Sequence, residues 1–174
     1  MKKTLLAMAI AGVALMGMTN AARAADGTIN FSGEILDQTC AISATSSTMN
    51  VDLGKVSKSS LTGAAGTKSA PQPFEINLTS CPAALANATV KFDGTADATN
   101  SDLLKITSGT GVATGVGIEI SDVNGVVPLH SASMSYPLAA GGTKLQFTAR
   151  YVSTSAVVGN GTANGVSQFT LNYK

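Results

Sequence analysis

Gly27-Thr28-Ile29-Asn30-Phe31-Ser32-Gly33-Glu34-Ile35 alternates without a break. Gly27, Ile29, Phe31, Gly33 and Ile35 occupy one parity; Thr28, Asn30, Ser32 and Glu34 occupy the other. A period of two places the first set on one face of an extended strand and the second on the opposite, wet face. The two glycines leave gaps in the apolar row where another backbone can come close.

The same period recurs along the chain. Met49, Val51 and Leu53 alternate up to Gly54, and Phe74, Ile76 and Leu78 alternate up to Cys81. Val90 and Phe92 stop at Asp93-Gly94. Val116, Ile118 and Ile120 lead to Asn124-Gly125, a strong hairpin turn signal. Leu145, Phe147, Ala149 and Tyr151 form another row, and Phe169, Leu171 and Tyr173 the last. Residues 57–72 are rich in Ser, Gly, Lys and Ala and read as loop, and Pro128 places its segment at an edge or bulge. No stretch has a long helical period. About eight or nine short strands between Gly, Asn and Pro turns predict an all-β sandwich of antiparallel sheets.

The start of the chain reads differently. Met1-Lys2-Lys3 is basic, Leu5 to Met18 is an apolar run, and Ala22-Arg23-Ala24 fits a small-x-small cleavage site. The run is shorter than the roughly 20 apolar residues a membrane span needs. Residues 1–24 are therefore expected to be a signal peptide, with no direct membrane insertion of the remainder. The remaining 150 residues suit one domain with a real core. Of 11 basic and 10 acidic residues, the signal holds Lys2, Lys3 and Arg23, so 8 bases face 10 acids afterwards. That balance offers nothing to nucleic acid or an anionic surface. Export favours oxidation, and Cys40 and Cys81 are the only cysteines, so one structural disulfide is expected.

No residue set points to catalysis, and the chain reads as a non-enzyme. His130 is the only histidine and reads as a surface residue. A metal site needs several converging ligands, and neither a G-x-S-x-G turn nor a complete phosphate loop is present. Asp93, Asp97 and Asp102 share a loop region but match no calcium-loop spacing. Neither metal nor cofactor is expected.

Several segments together resemble the chaperone–usher pilins of the type 1 fimbrial subunit family. They are the opening strand ahead of Cys40, Val51-Asp52-Leu53-Gly54-Lys55-Val56, and Phe74-Glu75-Ile76-Asn77-Leu78-Thr79-Ser80-Cys81. Gly115-Val116-Gly117-Ile118-Glu119-Ile120, Phe147-Thr148-Ala149-Arg150-Tyr151 and Phe169-Thr170-Leu171-Asn172-Tyr173-Lys174 complete the set. Gly161 and the penultimate Tyr173 match the family's C-terminal pattern.

The resemblance implies an incomplete immunoglobulin-like β-sandwich, completed by a donor strand from a neighbouring subunit. It divides the chain into signal peptide 1–24, donor-strand extension 25–36 and pilin domain 37–174. Ile29, Phe31, Gly33 and Ile35 would donate. Phe169, Leu171 and Tyr173 would line or border the acceptor groove, and the Lys174 carboxylate would meet basic residues of a chaperone. The implied partners are identical or related pilin subunits, a periplasmic chaperone and an outer-membrane usher. The implied location is a surface fimbrium reached through the periplasm, where the subunit polymerises head to tail and supports adhesion. The alternative is a secreted single-domain carbohydrate-binding sandwich, for which the chain offers few aromatic residues.

Overall fold

The computed structural model describes residues 27–33, 35 and 39–174. The expected signal peptide lies outside the described residues. The chain divides into two units, Met1–Ile35 and Leu36–Lys174. In the first, Ile29, Phe31 and Ile35 are 78 %, 92 % and 100 % exposed.

The regular elements of the second unit are mostly strands. In chain order they are β1 (Ala41–Ile42), β2 (Gln72–Thr79), β3 (Asn87–Asp93), β4 (Leu104–Lys105), β5 (Val116–Asp122), β6 (Gly125–Val126), β7 (Tyr136–Pro137), β8 (Gly142–Ser153) and β9 (Gln168–Tyr173). Two single-turn helices, α1 (Ala44–Ser47) and α2 (Lys58–Leu61), interrupt the loops. The larger sheet runs β1-β2-β8-β5-β4, with β6 also on β5; the smaller runs β7-β3-β9. Every strand pairing is antiparallel.

The alternating rows explain the layering. Ile76 and Leu78 on β2, Leu145 and Phe147 on β8, and Val116, Ile118 and Ile120 on β5 are buried from the larger sheet. Val90 and Phe92 are buried from the smaller. Phe147 sits at the centre. Its ring stacks on Phe74 at 5.6 Å and meets Phe92 edge-on at 5.0 Å and Tyr136 at 5.5 Å. Such aromatic contacts add to the gain from burial. Cys40 and Cys81 form the expected disulfide, and both are buried.

Glu119, on the outer face of β5, is only 4 % exposed. Its register partner on β8 is Arg150, and the two form an ion pair at 2.7 Å. Lys68 reaches the other carboxylate oxygen, also at 2.7 Å. Burial alone would raise the Glu119 carboxyl, but hydrogen bonds from Lys68 and Arg150 outweigh it and hold the group below its usual range. His130 is half exposed, and its Nδ1 lies 2.9 Å from Asp93 Oδ1.

One expected strand has no ladder. Met49, Val51 and Leu53 keep their alternation, half-buried against exposed neighbours, and pack against the core with Val56. Yet no backbone group of residues 49–56 pairs with another backbone group among the described residues. The side chains obey the strand pattern while the hydrogen bonds are unmade.

Candidate functional site: an open groove between the sheets

The unladdered segment forms one wall of a long groove. Met49 to Gly54 line a cavity of about 530 Å³ together with Ala163, Asn164, Gly165, Ser167 and Phe169 on the opposite wall. Its floor is the protein's own core: Phe74, Ile76, Phe92, Ile118, Ile120 and Ala149. Beyond it lies a second cavity of about 540 Å³. Lys55, Val56, Lys58 and Leu61 stand on one side there, residues 158–164 on the other, and Val116 contributes to the floor. A closed sandwich buries its core on all sides; here core residues face an opening.

Gly54, Tyr151, Ala163 and Asn164 belong to both cavities and mark their junction. Tyr151 rises from β8, and its hydroxyl donates to the Ala163 carbonyl at 2.9 Å. The phenol thus crosses from floor to wall and divides the groove. Burial, with a smaller contribution from Asp52, raises its pKa, so the hydroxyl keeps its proton and remains a donor. The 158–164 wall is pinned from behind. Thr162 N donates to Gly111 O and Ala113 N to Thr162 O, each at 2.9 Å. Gly161 permits this approach: a Cβ there would lie 2.5 Å from Ala113 N. That is a physical reason for glycine at this position.

Strand β9 presents an open edge to the groove. Asn87 and Lys174 exchange both backbone hydrogen bonds, at 3.0 and 2.8 Å. In an antiparallel ladder such pairs recur at every second position. With Thr89 opposite Asn172, Lys91 opposite Thr170 and Asp93 opposite Gln168, those three pairs carry the remaining bonds. The N–H and C=O groups of Phe169, Leu171 and Tyr173 therefore point away from β3, toward the groove. Their side chains, on the opposite parity from the exposed Gln168, Thr170 and Asn172, pack against the core. At one end Tyr173 Oη donates to Cys40 O at 3.4 Å, next to the disulfide.

The residues singled out in the sequence fall as follows. Phe169 lines the first cavity, Leu171 and Tyr173 continue its wall along β9, and Lys174 closes the ladder on Asn87. Ile29, Phe31, Gly33 and Ile35 lie in the first unit, with the three large side chains exposed. The sequence reading did not assign Met49 to Gly54, Tyr151 or residues 158–165 to the groove. The first of these carried a usable signal, an alternating row. The divider role of Tyr151 had none, because it depends on a contact with Ala163 twelve residues on.

A sandwich with an apolar floor, one unladdered wall and one open strand edge is an open immunoglobulin-like module of the pilin kind. The comparisons with known proteins agree. Residues 29–174 match the family model described as fimbrial protein, and the chain belongs to that family. It is 42 % identical to the probable major fimbrial subunit LpfA of Escherichia coli O157:H7, over all of this chain and 98 % of that one. It is 38 % identical to the long polar fimbria protein A of Salmonella typhimurium, with the same coverage. Among solved structures it resembles the P pilus rod subunit PapA with a TM-score of 0.66 at 28 % identity, covering 79 % of this chain and all of that one. It also resembles a subunit of a chaperone–usher pilus at a TM-score of 0.66 and 29 % identity, covering 86 % and 96 % of the two chains. The chain is a structural subunit of a surface fimbrium with the all-β pilin fold, and the relatives favour this role over a carbohydrate-binding module.

Proposed function

We propose that this subunit polymerises by lending residues 25–36 to the groove of a second copy, with Ile29, Phe31, Gly33 and Ile35 facing the floor. The observation that carries the reading is the match between two patterns. The donor row reads large, large, empty, large. The groove, followed from Tyr173 toward residue 158, offers one extended cavity, a barrier at Tyr151 and a second cavity. Ile29 and Phe31 fit the first, Gly33 passes the phenol, and Ile35 fills the second. This order runs the donor antiparallel to β9.

The energetics favour it. Burying three exposed side chains is worth about 1.5–3 kcal/mol each, or roughly 5–9 kcal/mol before ordering costs. The six open backbone groups of Phe169, Leu171 and Tyr173 gain about 1 kcal/mol per hydrogen bond made. Strand addition to an exposed sheet edge is a known recognition mode. A head-to-tail contact does not close on itself and so extends into a filament.

An unfilled groove is an aggregation hazard, which suits prior occupation by a periplasmic chaperone and hand-over at an outer-membrane usher. Residues 1–24 serve as the export signal on this reading, and the Lys174 carboxylate is the chaperone's anchor.

Phe31→Asp tests the reading. It places a charge where the groove floor is apolar. The variant is expected to keep the native circular dichroism spectrum and to form no filaments by electron microscopy. Filaments of normal length from this variant would refute the assignment.

A further inference from the structure

The second cavity carries a charge pattern that the apolar row does not use. Among the described residues, the charged residues lining it are Lys55 and Lys58. Both are exposed, and neither forms an ion pair among the described residues. Lys58 opens α2, whose backbone is fixed by Thr62, which donates to the Lys58 carbonyl from its N–H at 3.0 Å and its hydroxyl at 2.9 Å. Among the described residues, the one charged residue lining the first cavity is Asp52, whose carboxylate accepts from Gly54 N at 2.8 Å.

The donor segment has the opposite distribution. Around Ile29 and Phe31 its intervening residues are neutral: Thr28, Asn30 and Ser32. Around Ile35 it carries Glu34, with Asp37 directly after the segment, while a single acid, Asp26, stands at its other end. We infer that Lys55 and Lys58 form an electrostatic latch for Glu34 and Asp37 of a second copy of this chain, which speeds docking and fixes its direction. This rests on the strand-donation reading above and adds a recognition element to it.

The direction follows from the signs. Inserted antiparallel to β9, the donor sets two acids beside two lysines and neutral residues beside Asp52. Inserted the other way, it sets Glu34 beside Asp52 and brings a single acid, Asp26, toward the two lysines. Opposed like charges penalise the wrong arrangement as effectively as matched ones favour the right one. Rim charges act mainly on the encounter rate and its salt dependence, less on the final affinity. Steering of this kind raises association rates by about 10- to 1,000-fold and fades as salt shortens its range.

The test uses the chain from Ala25 to Lys174, diluted from denaturant, with filament growth followed by light scattering at low and high salt. Wild type is expected to grow more slowly as salt rises. The double variant Lys55→Glu/Lys58→Glu should grow about tenfold more slowly at low salt and reverse that salt dependence, growing faster as salt screens the repulsion. Adding Glu34→Lys and Asp37→Lys to the same chain should restore the rate, because the signs are then exchanged at both partners. Lys105→Glu, an exposed lysine on β4, is the control and should grow as wild type. If the double variant grows at the wild-type rate, the latch is overturned while the groove reading stands. If it is slow, natively folded and not rescued by the exchange, the latch is overturned too. If wild type does not grow, or Phe31→Asp grows normally, the donor reading fails and the latch fails with it.

Discussion

Gly33→Leu gives the sharpest test of how the groove reads its donor. In an ordinary strand the substitution helps: leucine fits a pleated surface better than glycine, and a buried leucine gains about 1.5–3 kcal/mol if there is room. In this groove the side chain would meet the Tyr151 phenol at the junction of the two cavities. If the phenol moves aside, its hydrogen bond to Ala163 O is lost and a half-buried hydroxyl is left without a partner, at about 1–3 kcal/mol. If it stays, overpacking costs about 1–3 kcal/mol. On either path the penalty is about 1–3 kcal/mol, a roughly 5- to 140-fold weaker association at 1.4 kcal/mol per decade. The assay is calorimetric titration of residues 37–174 with a peptide of residues 25–36 and its Gly33→Leu form, with Ser32→Ala as the wet-face control. Tyr151→Ala in the acceptor should recover much of the loss, and the four combinations give a coupling energy of about 0.5–3 kcal/mol. Wild-type or tighter binding of the leucine peptide, or a coupling near zero, would refute the division of the groove by Tyr151.

Three further outcomes follow from the fold. Phe147→Ala removes the ring that three other aromatics surround and should cost about 3–5 kcal/mol in denaturant unfolding. Reducing Cys40–Cys81, which are 41 residues apart, should cost about 4 kcal/mol by freeing the unfolded loop, read as a lower melting temperature in reductant. Arg150→Ala should cost about 1.5–3 kcal/mol at neutral pH, since Glu119 loses one of its two charged partners. Because the folded-state Glu119 carboxyl is depressed, its contribution is fully present above the ordinary value of 4.5 and is lost as pH falls through the folded value. Glu119→Gln should therefore flatten the acid limb of the stability curve, checked by urea unfolding across that range.

The side-chain period carried most of the architecture. The rows at Phe74–Leu78, Val90–Phe92, Val116–Ile120, Leu145–Tyr151 and Phe169–Tyr173 became β2, β3, β5, β8 and β9, because a half-buried strand must alternate. Two kinds of feature stayed hidden. Residues 58–61 read as loop yet form the single turn of α2, too short for any periodicity to register. The groove walls were hidden for a different reason. Met49, Val51 and Leu53 read as a strand, and their side chains behave as one, but period two reports burial and says nothing of who supplies the hydrogen bonds. Tyr151 looked like one more member of a row. Only its contact with Ala163, set by how the turn before β9 folds back, makes it a divider.

The treatment of the sheet edges separates a groove meant to be filled from one left by poor packing. Natural sheets protect their edges with short strands, proline or inserted charge. Four of the edges here are protected in this way. β1, β4, β6 and β7 are two residues each. β7 ends in Pro137, Pro128 follows β6 closely, and β4 carries Lys105. The two borders of the groove are not protected. β9 offers six residues without proline, and its inward row is Phe169, Leu171 and Tyr173. The wall opposite keeps Met49, Val51 and Leu53 turned inward with its backbone unpaired among the described residues. A sequence that guards its other edges and leaves these two facing each other across an apolar floor has a strand's place open. Its own Ile29, Phe31 and Ile35 stand exposed at strand spacing.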